Sequence, residues 1–438
     1  MKKLFLIIAL SAFAFNALAD TRSEFLADPR ISANNYHAYP DQDLPVLTPA
    51  PEGYTPFFID HYGRHGSRWL IADDSYTYPV EEFEKAERNG KLTPRGQEVL
   101  EVLKQLRDAS DKRLGELSDI GAEQHQGIAR RMYQNFPEVF RGNAHVDAKS
   151  TVVIRCILSM LNETDMLKSL NPDLYITADA SEHDMYYMNF TDSIVKPLRR
   201  LGTPLLREFA KKYVKPEQFL STIISDPQFA ADSIEGQQLM AEMFDIAGNM
   251  QSHHQFEHVN LYDLYTPEDI YDMWRFNNAR WYILSSETPI TMGRVDYAQA
   301  NLLSNFIDAA DAAIASGTNS ATLRFGHESV LLPLVCLMGL NGMDYKTTDL
   351  EAVADNWQCY KVFPMAGNIQ WIFYSKPGSA DVLVKFLLNE HEATLGNNVA
   401  TDCFPYYHWT DVRSYLKRKL ADIPKLTLAD VPEVKTEE

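Results

Sequence analysis

The sequence predicts an α/β protein, a doubly wound central sheet flanked by helices, with a mostly α-helical cap. Three observations predict it. Short apolar and β-branched runs alternate with helical periodicities up to residue 184 and again after 301. Residues 185–300 carry helical patterns and no convincing run of strands. Three predicted strand ends, at Arg64-His65, Arg155 and Gly326-His327, carry cationic or titratable groups where open α/β sheets collect ligands. The implied division is a leader over 1–19, a core built from 20–184 and 301–438, and a helical cap insertion over 185–300.

The N-terminus reads as a secretory signal peptide. Lys2 and Lys3 precede an apolar run from Leu4 to Ala14, and Ala17-Leu18-Ala19 offers a small-x-small cleavage site. The run is too short for a membrane span, and no later run reaches the ~18 apolar residues a span needs. The expectation is an exported protein, periplasmic or secreted, with no membrane insertion. Removing the two lysines takes the formal net charge from −19 to −21. Such an acidic chain is a poor partner for nucleic acid or an anionic membrane. A phosphate site in it must therefore be a local pocket of clustered arginines. Four cysteines, Cys156, Cys336, Cys359 and Cys403, allow three complete pairings, and Cys359–Cys403 is the expected bridge.

Residues 20–54 are polar, contain prolines and lack periodicity. Phe57-Phe58-Ile59 then reads as a short buried strand, and Gly63 and Gly66 mark an abrupt turn leaving it. Thr93-Pro94-Arg95-Gly96 opens a helical pattern through Leu106, and Ser118-Asp119 caps another that extends to Phe136. His125 on that helix reads as a structural histidine. Thr151-Val152-Val153-Ile154 is expected to be a strand delivering Arg155 at its end, and Leu174-Tyr175-Ile176 another. The α/β pattern resumes with a strand over 321–325, ending at Gly326-His327-Glu328-Ser329, and an apolar helix from Val330 to Leu340. Val362-Phe363-Pro364 and 369–374 read as a hairpin around Gly367-Asn368, and 382–388 as a further strand. The tail after Asp422 is charged and expected to fray.

The chemistry concentrates in Arg64-His65-Gly66-Ser67-Arg68. Two guanidiniums can grip phosphate oxygens bidentately, and an imidazole between them can attack phosphorus. Gly66 is expected to let the backbone approach the bound anion. Arg155 and His327 add charge and donors for the equatorial oxygens, and Glu328 supplies a carboxyl group for proton transfer. The spacing of His61 and His65 would suit a metal only on a helix, and here it falls on a strand and turn. The His253-His254-Gln255-Phe256-Glu257-His258 run reads as a solvated loop. Asp402-Cys403 and Tyr406-Tyr407-His408-Trp409 carry no assigned function.

Arg64-His65-Gly66-Ser67-Arg68 resembles the R-H-G-x-R signature of the histidine phosphatase superfamily, in its acid phosphatase and phytase branch. Leu117-Ser118-Asp119-Ile120-Gly121 resembles that branch's helix start, and Arg155-Cys156-Ile157-Leu158-Ser159-Met160 its R-C-x-x-S segment. The stretches from Phe325 through Leu340 and from Phe363 to Gln370 look most like multiple inositol polyphosphate phosphatases. The resemblance implies a covalent phosphohistidine on His65, with Arg64, Arg68, Arg155 and His327 binding the transferred phosphate. It implies no metal and no cofactor. Leu70 stands where the family carries proline. The second motif reads His327-Glu328-Ser329 rather than His-Asp or His-Ala-Glu. In register, Glu328 takes the acid's place and is expected to be the proton donor. The implied activity is phosphomonoester hydrolysis, with inositol hexakisphosphate and lower inositol polyphosphates as substrates. A broad acid or sugar phosphatase and a non-catalytic phosphate-ester binding protein are the alternatives.

Overall fold

The structure, a computed structural model, describes residues 20–40, 44–190 and 192–433. The leader expected over 1–19 lies outside the described residues. Eight strands form one sheet: β1 (Thr55–Arg64), β2 (His145–Ser150), β3 (Tyr175–Asp179), β4 (Ser320–Gly326), β5 (Asn368–Ser375), β6 (Val382–Leu388), β7 (His391–Ala393) and β8 (Tyr406–His408). Their order is β3-β2-β4-β1-β5-β6-β7, with β8 paired to β6. The first four are mutually parallel, and β5 runs antiparallel to β1. The carboxyl ends of β2, β4 and β1 therefore lie side by side, with Arg64 in register with Gly326 and Ser150 with Phe325.

Side-chain alternation assigns each strand's residues to two faces. On β1, Phe58 and Tyr62 enter one apolar cluster and Ile59 the other; on β5, Trp371 and Phe373 oppose Ile372 and Tyr374. Helices α1 (Asp119–Asn135) and α2 (Ile154–Leu170) cover the Ile59 face. Helices α3 (Ala300–Ser316), α4 (Glu328–Met338) and α5 (Trp409–Ala421) cover the Tyr62 face. This is the sandwich of helices around a sheet that the sequence predicts. A separate apolar cluster unites the helices Asp74–Arg88 and Pro94–Ser110 with those from Glu217 to Ser285, Trp69 and Leu70 included.

Three local expectations are corrected. The strand expected at 151–154 ends at Ser150; Thr151 donates its amide to Phe325 O (3.0 Å), and Ile154 starts α2. Arg155 thus sits in the first turn of a helix beyond the strand end. The β-branched run is overridden because Val152 and Ile154 are exposed and have no strand face to fill. The hairpin around Gly367-Asn368 does not form: 362–367 is a loop, and β5 pairs with β1 and β6 instead. All four cysteines are free; Cys359 is buried and donates to Asn34 Oδ1 (3.1 Å), while Cys403 packs in another cluster.

Beneath the site, β1 and β4 are joined by a buried ion pair in which Arg324 donates to Asp60. Arg324 Nε and Nη2 also donate to Asn305 Oδ1 (2.9 and 2.6 Å). Removing one member of a buried pair strands the other charge, whereas replacing both with apolar groups does not. Asp60→Ala is expected to lower stability by about 3–5 kcal/mol in urea unfolding. The double change Asp60→Leu/Arg324→Met is expected to recover most of that loss.

Candidate active site

The turn after β1 is fastened at every residue. Arg64 N–H donates to Gly367 O (2.8 Å), His65 N–H to Gly326 O (2.9 Å), and Ala366 N–H to His65 O (2.9 Å). Gly66 N–H donates to Ser159 Oγ on α2 (3.1 Å). Ser67 N–H donates to Gln124 Oε1 (2.9 Å), and Gln124 Nε2 returns a bond to Ser67 Oγ (3.0 Å). Ser118 caps α1 through Gly121 N–H. The missing Cβ of Gly66 faces Gly121 O, and the missing Cβ of Gly121 faces Ser67 O; either added carbon would overlap backbone. Gly66 thus serves a close loop-to-helix contact. Leu70, where proline was the expected residue, donates its amide to Tyr76 Oη (2.9 Å), a bond proline cannot make.

His65 is fully buried. Its Nδ1 lies 2.9 Å from Gly66 O, a geometry that assigns the proton to Nδ1 and leaves the Nε2 lone pair free. Burial, then the charges of Arg64, Arg68, Arg155 and His327, hold this imidazole well below its ordinary pKa. Both effects favour its neutral form. His327 follows β4, its amide donating to Tyr62 Oη (3.2 Å) and its Nε2 lying 3.3 Å from Thr151 Oγ1. Burial brings His327 down to about 4, and its ring centroid stands 5.8 Å from that of His65. Arg64 donates through Nη1 to Phe363 O (2.7 Å), and Arg68 through Nη1 to Trp69 O (2.8 Å). Burial lowers the guanidinium of Arg64 to about 10 and that of Arg155 less far.

Four buried polar atoms here lack a partner: Arg64 Nη2, Arg68 Nε, Arg155 Nε and His65 Nε2. Three donors and one lone pair, left unsatisfied together, define an anion site. Glu328, the first residue of α4, currently answers it. Its Oε2 accepts from Arg64 Nε (3.1 Å) and stands 3.7 Å from His65 Nε2. Burial alone would raise this carboxyl, but Arg64, Arg68 and His327 outweigh burial and pull it down to about 2. Ser329 beside it is exposed. The ligand atoms of His65, His327 and Glu328 are close enough to share an ion, yet the surrounding guanidiniums oppose a cation.

The structure brings all six sequence-predicted residues, Arg64, His65, Arg68, Arg155, His327 and Glu328, to one place. It adds several that sequence reasoning passed over. Tyr36 lies with its ring 5.5 Å from the Arg68 guanidinium, and Asn249 Nδ2 donates to Arg68 O (3.0 Å). Asp245, one helical turn before Asn249, is pushed by burial up to about 7 against the pull of Arg280 and Arg68. None of these has a local signature, since each belongs to a segment remote in sequence from the strand ends. Gln124 and Ser159 were legible in part, lying in the two segments already singled out. Of the run expected to be a solvated loop, His253 and Phe256 are instead buried, the His253 ring centroid 4.0 Å from that of Trp69 in a tilted pair, while His254 is exposed and bracketed by Glu123 and Glu257.

No protein-family model matches this sequence, and no curated protein does. Solved structures do. The apo form of Bifidobacterium longum multiple inositol polyphosphate phosphatase superposes with a TM-score of 0.70 and 18% identity, covering 89% of this chain and 97% of that one. That protein in complex with inositol hexasulfate gives 0.69 and 17%, over 88% and 97%. The phytase from D. castellii gives 0.64 and 14%, over 93% and 90%. The chain has the fold of these phosphatases.

Because Glu328 occupies the seat of an anion and carries its own charge there, Glu328→Gln is expected to tighten orthophosphate binding at pH 7 about tenfold, or ~1.4 kcal/mol. Titration calorimetry measures this directly; weaker binding in the variant would show that the carboxyl group assists the anion instead.

Proposed function

We propose that this chain is a histidine acid phosphatase that hydrolyses inositol hexakisphosphate and lower inositol polyphosphates through a phosphohistidine on His65. The observation that carries this reading is the neutral, unpartnered His65 Nε2 set among three unsatisfied guanidinium nitrogens. The shared fold with inositol polyphosphate phosphatases and a phytase supports the substrate class. The N-terminal sequence pattern supports export to the periplasm or medium.

In the first step the lone pair on His65 Nε2 attacks phosphorus, and the P–O bond to the leaving oxygen breaks as N–P forms. Arg64, Arg68, Arg155 and His327 hold the phosphoryl oxygens in place. Glu328, having taken up a proton from solvent as the substrate phosphate displaces it from Arg64, gives that proton to the leaving oxygen. A carboxyl held near 2 is a poor acid, but the incoming phosphate takes its place on Arg64 and sets negative charge beside it. Both changes raise its affinity for a proton. In the second step water attacks the phosphohistidine, Glu328 accepts the proton, and the N–P bond breaks to release phosphate.

His65→Ala is expected to abolish phosphate release from inositol hexakisphosphate while leaving the circular dichroism spectrum unchanged. Near wild-type turnover in that variant would remove His65 as nucleophile. Glu328→Gln is expected to slow alkyl phosphates at least tenfold more than activated aryl phosphates, whose leaving groups need little protonation. Equal losses on both substrates would count against Glu328 as the donor.

The pH profile follows from the sign of the His65 shift. A base whose pKa lies well below 6.5 stays unprotonated as pH falls through 6.5. kcat/KM is therefore expected to hold or rise between pH 7 and pH 5, and an acid limb centred near 6.5 would show that His65 titrates normally.

A further inference from the structure

A second cluster of reactive side chains lies away from the arginines, on the segment that leads into β8. We propose that Asp402, Cys403 and His408 form a zinc-binding site. Their ligand atoms, a carboxylate oxygen, Sγ and an imidazole nitrogen, all lie within 4.8 Å of one another. A tetrahedral zinc with bonds of about 2.0–2.3 Å sets its ligands roughly 3.3–3.8 Å apart, so small side-chain rotations close the site.

The independent support is the outer shell. His408 Nδ1 faces Asp381 at 2.9 and 3.1 Å, and Asp381 in turn accepts from Tyr54 Oη (2.7 Å). A carboxylate that takes the proton of one ring nitrogen fixes the tautomer and presents the other nitrogen as a ligand. That other nitrogen, Nε2, stands 3.2 Å from Asp402 Oδ1. In the free protein a proton shared between Nε2 and Asp402 Oδ1 joins the ring to this second carboxylate, and a cation would take that proton's place. Cys403 is half-buried, and Tyr406 N–H donates to Cys403 O (2.9 Å), closing the turn that sets the thiol beside the histidine.

Sulfur, nitrogen and oxygen donors together select a borderline ion such as zinc over calcium or magnesium. On binding, Cys403 releases its thiol proton to solvent, and the thiolate and carboxylate balance the double charge. Three protein ligands leave a fourth position for water. The ion would fasten 402–408 to the start of β6, where Asp381 precedes Val382 and Leu383 is in register with His408.

The test is titration of the full chain with Co²⁺ under a non-thiol reductant. One equivalent is expected to bind with a near-ultraviolet thiolate-to-cobalt charge-transfer band that Zn²⁺ displaces. Cys403→Ser should abolish the band, and Asp381→Asn should weaken binding 10–100-fold. His65→Ala should leave the band intact, which separates this site from the His65–His327–Glu328 cluster. Absence of the band in the unaltered protein, or its survival in both Cys403→Ser and His408→Ala, overturns the proposal.

Discussion

Arg64, Arg68 and Arg155 converge on one buried imidazole, and the rest of the structure serves to hold those like charges together. Guanidiniums brought out of water repel one another and any protonated neighbour. The result is a histidine whose protonated form is disfavoured and a set of donors that the protein itself does not satisfy. An anion offsets such a cluster of like charges. Glu328 provides one, lodged on Arg64 beside His65 Nε2.

The backbone around it is correspondingly rigid. The loop from His65 to Ser67 is tied to β4, α1 and α2 through Gly326, Gln124 and Ser159, and two glycines let loop and helix meet without side chains between them. Tyr62 Oη, reaching under Gly326, accepts the amide of His327 and so links the strand that ends at Arg64-His65 to the second histidine. The Arg324–Asp60 pair pins the same two strands a turn lower. Preorganisation of this kind is what the proposed phosphoryl transfer, by positioning and charge neutralisation, would require.

The acidic chain and its cationic pocket are consistent with each other. A net charge of −19 repels polyanions at long range, while at short range several buried guanidiniums dominate in a low dielectric. Glu328 marks the balance point between the two. In the free site it is charged and bound to Arg64.

By itself the sequence determined the α/β class, the order of the main elements and the identity of all six residues in the arginine cluster. It could do so because strand ends, glycine turns and helix caps are written in contiguous residues such as 64–68, 118–121 and 326–328. Only the tertiary structure decided what each of these faces. Gly66 meets Gly121, a contact the sequence does not spell out, because the closeness of a loop to a helix start depends on both segments at once. The β-branched 151–154 run yields to the position of α2, since strand propensity counts only where a face is buried. Cys359 and Cys403 stay apart because their clusters lie on opposite sides of the sheet. His408 gains its carboxylate partner from Asp381, 27 residues away. Local pattern is enough to write an element, but a contact between remote segments is settled by packing.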